Sequence, residues 1–519
     1  MNREQFLERV ENKNELWDLI VIGGGATGLG TALESASRGY KTLLLEQHDF
    51  SKCTSSRSTK LIHGGVRYLQ QGNITLVLEA LHERGLLLQN APHLVHSQDF
   101  IVPNYDWWNY PLYGIGLKTY DLLAGKLSLG ASKLLTKEEV IKHIQNIKTN
   151  GLRSGIIYQD GQFDDSRLAI NLAQTIVEQN GIVLNYFEVV SLIKKNGIVN
   201  GVIAVDKESE KEYSIKAKVV INATGIFTDN ILKLDNPNTK NIITHSQGIH
   251  LIFNKEFFPG KTAIMIPHTE DGRVLFAVPW HNKIIVGTTD TKIKNAVLEP
   301  IALEKEIDFI LEHLQKYISK YPNRKDIKSV FAGIRPLVKS SNKKATSSIS
   351  RDHNIFISDS KLVTITGGKW TTYRKMGEDT IDQAVLVGNL EQRQSITKNL
   401  KIHGYLNNAD ITDPLSVYGS DMKEIKNLSE NNIGLSGKIS EIFSITKAEI
   451  IWHIKNEMAR NVEDILARRT RTLFLDAEES IKMAPKIAKI ISSELNKSLE
   501  WEKNQILSYS KLASNYLVN

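Results

Sequence analysis

The sequence predicts an α/β nucleotide-binding unit, an antiparallel sheet and a helical C-terminal domain. Three observations carry that expectation: a strand, glycine turn, helix and strand in succession over residues 16–46, apolar/polar alternation through 241–300, and a glycine-poor, helically periodic stretch from about 398 onward. The chain has 519 residues, so two or three domains of about 150 residues are expected rather than one small module. Hydrophobic residues are 41% and charged ones 24%, which supports sizeable cores and excludes disorder or a fibrous repeat for most of the length.

After a polar lead in which Phe6, Leu7 and Val10 share one helix face, LWDLIVI (16–22) reads as a buried strand ending in glycines. Gly23, Gly25 and Gly28 form GxGxxG, Thr31 to Arg38 continue as a helix, and Lys41 to Leu45 return as a strand closed by Glu46. Gly23 permits the tight turn, Gly25 lets the backbone approach a pyrophosphate, and Gly28 lets helix pack closely on strand. The helix N-terminus offers unpaired N–H groups and partial positive charge to the anion. Glu46 is placed to accept hydrogen bonds from ribose hydroxyls, and its charge would repel a 2′-phosphate, which disfavours NADP. Three spaced glycines alone are weak; the flanking strand and helix and the acidic residue that follows give them weight.

Further along, Val183-Leu184 and the Gly-separated runs Val189–Ile193 and Ile198–Val205 predict hairpin strands. Lys218–Asn222 predicts a strand that runs into Ala223-Thr224-Gly225, small residues past which a ligand or another backbone can run. Residues 241–300 read as antiparallel sheet with turns at Asp271-Gly272 and His281-Asn282. Ile301, Leu303, Ile307, Ile310, Leu311, Leu314 and Ile318 place a helix on the back of that sheet. Segments 419–430, 447–470 and 478–511 read as the helices of the C-terminal domain.

Lys and Arg number 65 against 58 Asp and Glu, a net +7 that suits an anionic small molecule or an acidic lipid surface as well as nucleic acid. The charge is dispersed and no aromatic-basic platform is visible, so a nucleic-acid partner is disfavoured. Cys53 is the one cysteine, which rules out an intrachain disulfide and fits a reducing compartment. The first fifteen residues carry both signs of charge, unlike a signal peptide, and no apolar run nears the ~18 residues of a membrane span. A cytoplasmic protein with at most peripheral membrane contact is expected. Tyr105, Trp107, Trp108, Tyr110 and Tyr113 lead into an amphipathic stretch, Leu112 to Leu135, bearing Lys118, Lys126 and Lys133. That combination reads either as an interfacial helix at a bilayer surface or as packing within a cap.

Two regions are dense in chemistry. Thr54 to Tyr68 (TSSRSTKLIHGGVRY) joins hydroxyls and a lysine suited to phosphates and ribityl oxygens to Gly64-Gly65, which allow backbone contact with a flat ring. His63, beside that glycine pair and near Arg67, is the candidate general base, since an imidazole of pKa near 6.5 is half-ready at neutral pH. Later come Ala332 to Leu337 (AGIRPL), Ser350 to His353 (SRDH) and Thr364 to Arg374 (TITGGKWTTYR). Pro336 holds Arg335 extended, and the arginine fork matches phosphate oxygens bidentately. Gly367-Gly368 ahead of Lys369 and Thr371 either set backbone N–H groups against a ring or phosphates, or make an ordinary turn into a helix.

In order, DLIVIGGGATGLG, TSSRSTKLIHGGVRYL, NATG, VPWHNKIIVGTTD, GIRPL, SRDH, TGGKWTTYR and EDILARRTR resemble the FAD-dependent, quinone-linked (aerobic-type) glycerol-3-phosphate dehydrogenases over residues 16–475. The second and seventh blocks are specific, whereas GxGxxG is shared by many flavoproteins. One departure is Ile226-Phe227, where that family commonly has Pro-Trp. The resemblance implies a glutathione-reductase-like FAD-binding (Rossmann-type) domain of residues 1–78, 151–240 and 341–397, interleaved with an antiparallel-sheet substrate domain of 79–150 and 241–340. An all-helical domain of 398–519 follows. It implies oxidation of sn-glycerol 3-phosphate to dihydroxyacetone phosphate with hydride passing to flavin N5 and electrons to a membrane quinone. It also implies a peripheral seat on the cytoplasmic face of the inner membrane against acidic lipid, and it allows a homodimer.

By position, the resemblance assigns FAD to Gly23, Gly25, Ala26, Thr27, Gly28, Glu46, Thr54, Ser55, Ser56, Lys60, Leu61, His63, Val189, Ala223, Thr224, Gly225, Gly367, Gly368, Lys369 and Thr371. Substrate falls to Arg67, Tyr68, His250, Arg335, Arg351 and Lys369, with His63, Arg67, Arg335 and Lys369 as the catalytic set and no metal. Two other readings stand beside this one: an oxidase that uses oxygen and forms hydrogen peroxide, whose members tend to be longer through an insertion, and a non-catalytic nucleotide-binding or membrane-associated interaction protein.

Overall fold

A computed structural model describes residues 1–65, 73–105, 120, 123, 125–267, 269, 273–339, 352–410 and 412–518. Among them two sheets organise the chain. The first has eight strands, with Leu16–Ile22 paired in parallel to both Thr42–Leu45 and Glu212–Asn222. Parallel neighbours need a crossover, and the helix Ala26–Ser37 supplies it. Leu19, Ile20 and Val21 are fully buried, as expected of a parallel strand covered on both faces. Val363–Gly367 and His353–Ile357 extend the sheet on one side and Ile182–Leu184 on the other, while the hairpin Phe187–Lys195 and Ile198–Asp206 joins at Glu212–Asn222.

Helix Ala26–Ser37 crosses helix Tyr373–Val387 at two glycines: a Cβ on Gly377 would stand 2.5 Å from the Gly30 carbonyl oxygen. The helix expected from Thr31 starts five residues earlier, at Ala26, because the extended Gly25 (φ −84°, ψ −177°) already acts as its N-cap.

The ten strands of the second sheet include Ile243–Asn254, Ala263–Ile266, Leu275–Trp280, Lys283–Gly287 and Ser329–Val338. Their side chains alternate between two cores. Leu251, Ile264, Ile284 and Val286 face Ile307, Ile310 and Leu314 of the helix Glu304–Tyr317, the helix read from the sequence. Ile252, Met265, Ile285 and Phe331 face Leu473, Phe474, Ile487 and Tyr516 from the C-terminal region. The C-terminal domain is therefore the outer cover of the second sheet.

Four expectations need correction. Ser154–Phe163, placed with the FAD domain by sequence, pairs with Val95–Asn104 and Leu61–Ile62 in the second sheet, so a boundary at 151 does not follow sheet membership. The stretch toward Leu135 is not helical at its end, where Lys133–Thr136 is a strand on Ser154–Phe163; Trp107, Trp108, Tyr110, Tyr113 and Lys118 lie outside the described residues. Residues 447–470 are not one helix: Lys447–Asn456 stops near Met458 (φ +54°), and a π-type turn over Asp464–Arg469 follows. Likewise 478–511 divides into Ala477–Glu494 and Leu499–Ser514 around Asn496 (φ +51°). No described helix is long and apolar enough to cross a membrane.

His403 links the first core to the C-terminal region. Its Nδ1 meets Glu178 Oε1 at 2.5 Å and its Nε2 meets Asp421 Oδ2 at 2.8 Å. Burial opposes the imidazolium charge, but the two carboxylates outweigh it and raise the pKa to about 9. A raised histidine stabilises fully below its unfolded pKa, and the contribution fades as pH climbs through the folded value. Unfolding free energy should therefore fall by on the order of 2 kcal/mol between about pH 6.5 and 9, after allowing for the solvent screening of Glu178. Denaturant titrations across that window should show a shallower decline in His403→Gln, and an equal slope in both proteins would reject the assignment.

Candidate functional site

Strand ends and loops of both sheets enclose a cavity of about 780 Å³, within the roughly 300–1,000 Å³ of small-molecule sites. Gly23, Gly25, Ala26 and Thr27 form one wall. Gly23 has φ +110°, and a Cβ there would stand 2.6 Å from the Ala223 carbonyl oxygen, while one on Gly28 would overlap the carbonyl of Gly23. These glycines let the first turn, its helix and the Ala223–Gly225 strand end close on one another. Asn222, fully buried, shapes that strand end by accepting from Thr224 Oγ1 at 2.7 Å and donating to the Thr228 carbonyl at 3.1 Å. Gly225 follows at φ +57°.

Gly25 caps the helix without a side-chain acceptor, and Ser55 Oγ accepts from Ala26 N–H at 2.9 Å. The positive helix end thus lies at the cavity wall. Glu46 accepts from the backbone N–H groups of Gly24 at 2.6 Å and His48 at 2.8 Å, while burial raises its pKa against those bonds. Opposite the 54–65 loop, Gly367 (φ +84°) and Gly368 (φ +74°) adopt a conformation that favours glycine. Trp370 Nε1 donates to the Ser55 carbonyl at 2.8 Å and Thr371 Oγ1 to the His63 carbonyl at 3.5 Å, so the two sequence-dense regions meet.

His63, His250, Arg335 and Lys369 all line this cavity, with Phe276, Met265 and Tyr158. His250 shares a hydrogen bond with Thr59 Oγ1 at 2.9 Å and stacks on Phe331, centroids 4.9 Å apart. Burial, aided by Arg335 and Lys60, holds its pKa well below the histidine range, so it is neutral at pH 7. Arg335 Nη2 donates to Thr288 Oγ1 at 3.0 Å and to the Thr289 carbonyl at 3.1 Å. Cys53 is also on the wall, but burial pushes its thiol up to about 12, which makes it no nucleophile at neutral pH.

Of the residues assigned to FAD, Thr54, Leu61, Val189, Ala223, Thr224 and Thr371 reach the wall as well. Gly28 and Ser56 sit behind it, Gly28 as the helix–strand contact and Ser56 with its hydroxyl on the Cys53 carbonyl at 3.3 Å. Lys60 is a correction. Its Nζ is fully buried, donates to both oxygens of Asp165 at 2.7 and 2.8 Å and to the Ser56 carbonyl at 2.7 Å, and lies 5.0 Å from the Trp280 ring. Its side chain braces the loop and does not reach the cavity wall. Arg67, Tyr68 and Arg351 lie outside the described residues. Sequence reasoning missed Asp165, and it read Thr59, Trp370 and Thr288–Asp290 only as parts of longer blocks.

Residues 18–374 match the family described as FAD dependent oxidoreductase, and residues 363–505 match the C-terminal domain of alpha-glycerophosphate oxidase. The mitochondrial glycerol-3-phosphate dehydrogenase of Mus musculus is 39% identical over 95% of this chain and 72% of its own length. The chain belongs to the FAD-dependent glycerol-3-phosphate dehydrogenase family. The probable mitochondrial glycerol-3-phosphate dehydrogenase of Dictyostelium discoideum is also 39% identical, over 99% of this chain and 86% of that protein. The solved glycerol-3-phosphate dehydrogenase of Bacillus halodurans, complexed with FAD, superposes with a TM-score of 0.81 at 26% identity, covering 99% of this chain and 97% of that one. The L-alpha-glycerophosphate oxidase of Mycoplasma pneumoniae shares the fold, with a TM-score of 0.58 at 17% identity over 75% of this chain and 98% of that one.

The cofactor of the family is FAD, and this cavity fits it. The helix end, where Gly25 supplies no capping side chain and Ser55 takes only Ala26 N–H, suits a diphosphate, the Gly23–Gly25 turn leaves no Cβ in its way, and Glu46 stands at the end of the second strand where a ribose is bound in this class of turn. Ile226 and Phe227, the departure from Pro-Trp, both line the cavity, and the Ile226 carbonyl meets His245 Nε2 at 3.0 Å. If Lys60 braces the loop, removing its charge strands Asp165. Lys60→Met should cost about 3–5 kcal/mol in urea unfolding, and Lys60→Met with Asp165→Leu should recover much of it; a Lys60→Met protein of normal stability and low flavin content would restore the cofactor role instead.

Proposed function

We propose that this protein oxidises sn-glycerol 3-phosphate to dihydroxyacetone phosphate in this cavity and passes the electrons to a membrane quinone. The observation that carries the reading is one cavity that joins a glycine-capped helix N-terminus to Arg335, Lys369, His63 and a neutral His250. The first feature suits a dinucleotide and the second a small phosphorylated alcohol. FAD, held by the Gly23–Thr27 turn and Glu46, would supply a two-electron acceptor for the hydride released from C2.

The chain's own residues do the rest. The helix end at Gly25–Thr27 holds the diphosphate, and Glu46 keeps oxygen lone pairs for ribose hydroxyls beyond those used by Gly24 and His48. Arg335 grips the substrate phosphate through its planar fork and Lys369 adds a second positive charge. His63 takes the proton of the C2 hydroxyl. His250 is neutral and tied to Thr59, so it orients the substrate without competing for the phosphate as a cation. Arg67, Tyr68 and Arg351 are assigned to the same substrate site from the sequence.

Relatives of 36–39% identity bear the name dehydrogenase, which supports an acceptor other than oxygen. The net charge of +7 is compatible with peripheral contact at an acidic lipid surface, where a quinone is found.

Anaerobic addition of glycerol 3-phosphate should bleach the yellow flavin absorbance; a flavin that stays oxidised would leave the non-catalytic reading standing. Each charge-assisted hydrogen bond to phosphate contributes about 1.5–3 kcal/mol, so Arg335→Ala should raise KM for glycerol 3-phosphate by roughly 10- to 100-fold and leave glycerol turnover nearly unaffected. His63→Ala should slow flavin reduction and flatten its pH dependence, since the group that takes the C2 hydroxyl proton is gone. Reoxidation by a soluble quinone should outpace reoxidation by oxygen, and the reverse order would favour the oxidase.

A further inference from the structure

We propose that Gly248, Thr288 and Asp290 form a seat that aims the Arg335 guanidinium, and that this seat sets the enzyme's selectivity for a phosphorylated alcohol. The inference rests on Arg335 binding the substrate phosphate. Arg335 lies on the strand Ser329–Val338, directly across from Ser246 on Ile243–Asn254. A long side chain on a strand samples many directions unless neighbours hold it, and a planar fork is useful only when it points at its target.

Neighbours hold this one on two sides. Nη2 donates to Thr288 Oγ1 at 3.0 Å and to the Thr289 carbonyl at 3.1 Å, and Nη1 lies 3.8 Å from Asp290 Oδ1. The hydroxyl of Ser246 donates to that same Asp290 oxygen, so the carboxylate is itself fixed beside the arginine's strand.

The turn that carries these groups is pinned from beneath by Glu306, which is 2% exposed. Thr289 Oγ1 donates to Glu306 Oε1 at 3.0 Å and Thr291 Oγ1 to the same oxygen at 2.7 Å. Gln247 Nε2 at 2.8 Å and Leu303 N–H at 3.1 Å donate to Oε2. Thr289 Oγ1 also accepts from Ile249 N–H at 3.0 Å, which ties the turn to the neighbouring strand. Five donor groups on three segments therefore set where Thr288 and Asp290 stand.

Space completes the seat. A Cβ at Gly248 would stand 2.6 Å from the Thr289 carbonyl oxygen and would overlap both Thr288 Oγ1 and the Arg335 guanidinium. Any side chain at 248 evicts the fork or moves the turn. Gly248 thus acts by leaving room, Thr288 by accepting, and Asp290 by orienting the charge; all three are positioning residues.

The test uses the FAD-loaded enzyme and four variants: Thr288→Val, Thr288→Ser, Gly248→Ala and Arg335→Ala, with Thr288→Val and Gly248→Ala also built in the Arg335→Ala background. KM and kcat for glycerol 3-phosphate, inhibition by inorganic phosphate, and flavin content are read for each. Thr288→Val should raise KM and weaken phosphate inhibition about tenfold, with flavin content unchanged and kcat moved less than KM. Thr288→Ser should restore both values, and Gly248→Ala should lose at least as much as Thr288→Val. In the Arg335→Ala background neither change should add a further loss, because the group they position is gone. A normal KM in Thr288→Val, additive losses in the double variants, or a loss that tracks flavin content would each overturn the seat while leaving the role of Arg335 intact. An Arg335→Ala enzyme with normal KM and normal phosphate inhibition would overturn the parent assignment, and the seat with it. Should Gly248→Ala fail to fold, the pair of Thr288 variants decides the question.

Discussion

Asp49 follows the strand Thr42–Leu45 with its carboxylate fully buried between two arginines from the far end of the chain. Arg468 Nε reaches it at 2.5 Å, and Arg469 donates from both Nη atoms at 2.6 and 2.9 Å. Burial alone would raise the Asp49 pKa, but the two guanidinium groups hold it below the usual carboxylate range. Arg469 also donates to the Glu457 carbonyl at 2.7 Å, and the Glu457 side chain forms a two-pronged pair with Arg167 at 2.7 and 2.8 Å. Removing one member of such a cluster leaves a desolvated charge, at a cost of about 3–5 kcal/mol. The cluster therefore locks the helical C-terminal region to the loop that leaves the nucleotide strand, and the cavity wall from Ser51 to Thr59 hangs from that point.

The same loop shows how the molecule sorts its positive charges. Lys52 pairs with Glu463 and with Glu299 at 2.7 Å, Arg57 with Glu299 at 2.6 Å and with the Tyr516 hydroxyl at 3.1 Å, and Lys60 with Asp165. Each of these cations is paired with a carboxylate, Lys52 and Arg57 sharing Glu299, and serves the architecture. Tyr516, three residues from the C-terminus of a 519-residue chain, reaches the wall through Arg57, so the tail contributes to the site from behind. Lys52 and Arg57 also line the cavity, as do Arg335, which has Asp290 at 3.8 Å, and Lys369, while His250 is kept neutral by burial.

The local parts of this arrangement were legible because their causes are local. Gly23 and Gly28 touch each other within a single turn, so their spacing reports the contact directly. The alternation in 241–300 reports two cores because successive side chains of a strand must face opposite ways. Non-local pairings left no such trace. Ser154–Phe163 joins the second sheet through Val95–Asn104, some fifty residues away, and nothing in its own apolar pattern names that partner. The expected helix over 447–470 breaks for a similar reason: Asp464 and Arg468 turn inward to Tyr186 and Asp49 rather than along a helix face.

By itself the sequence determined the nucleotide turn and the succession of an α/β unit, an antiparallel sheet and a helical cover, since each follows from residue types at short, fixed spacings, while the family and the cofactor came from the resemblance of its ordered blocks. Only the tertiary structure decided which cations brace the wall and which line the cavity. Lys60 and Arg335 look equally suited to a phosphate in the sequence. One meets Asp165 across 105 positions and the other a threonine turn across 47, and it is the partner found at that distance that assigns the work of each charge.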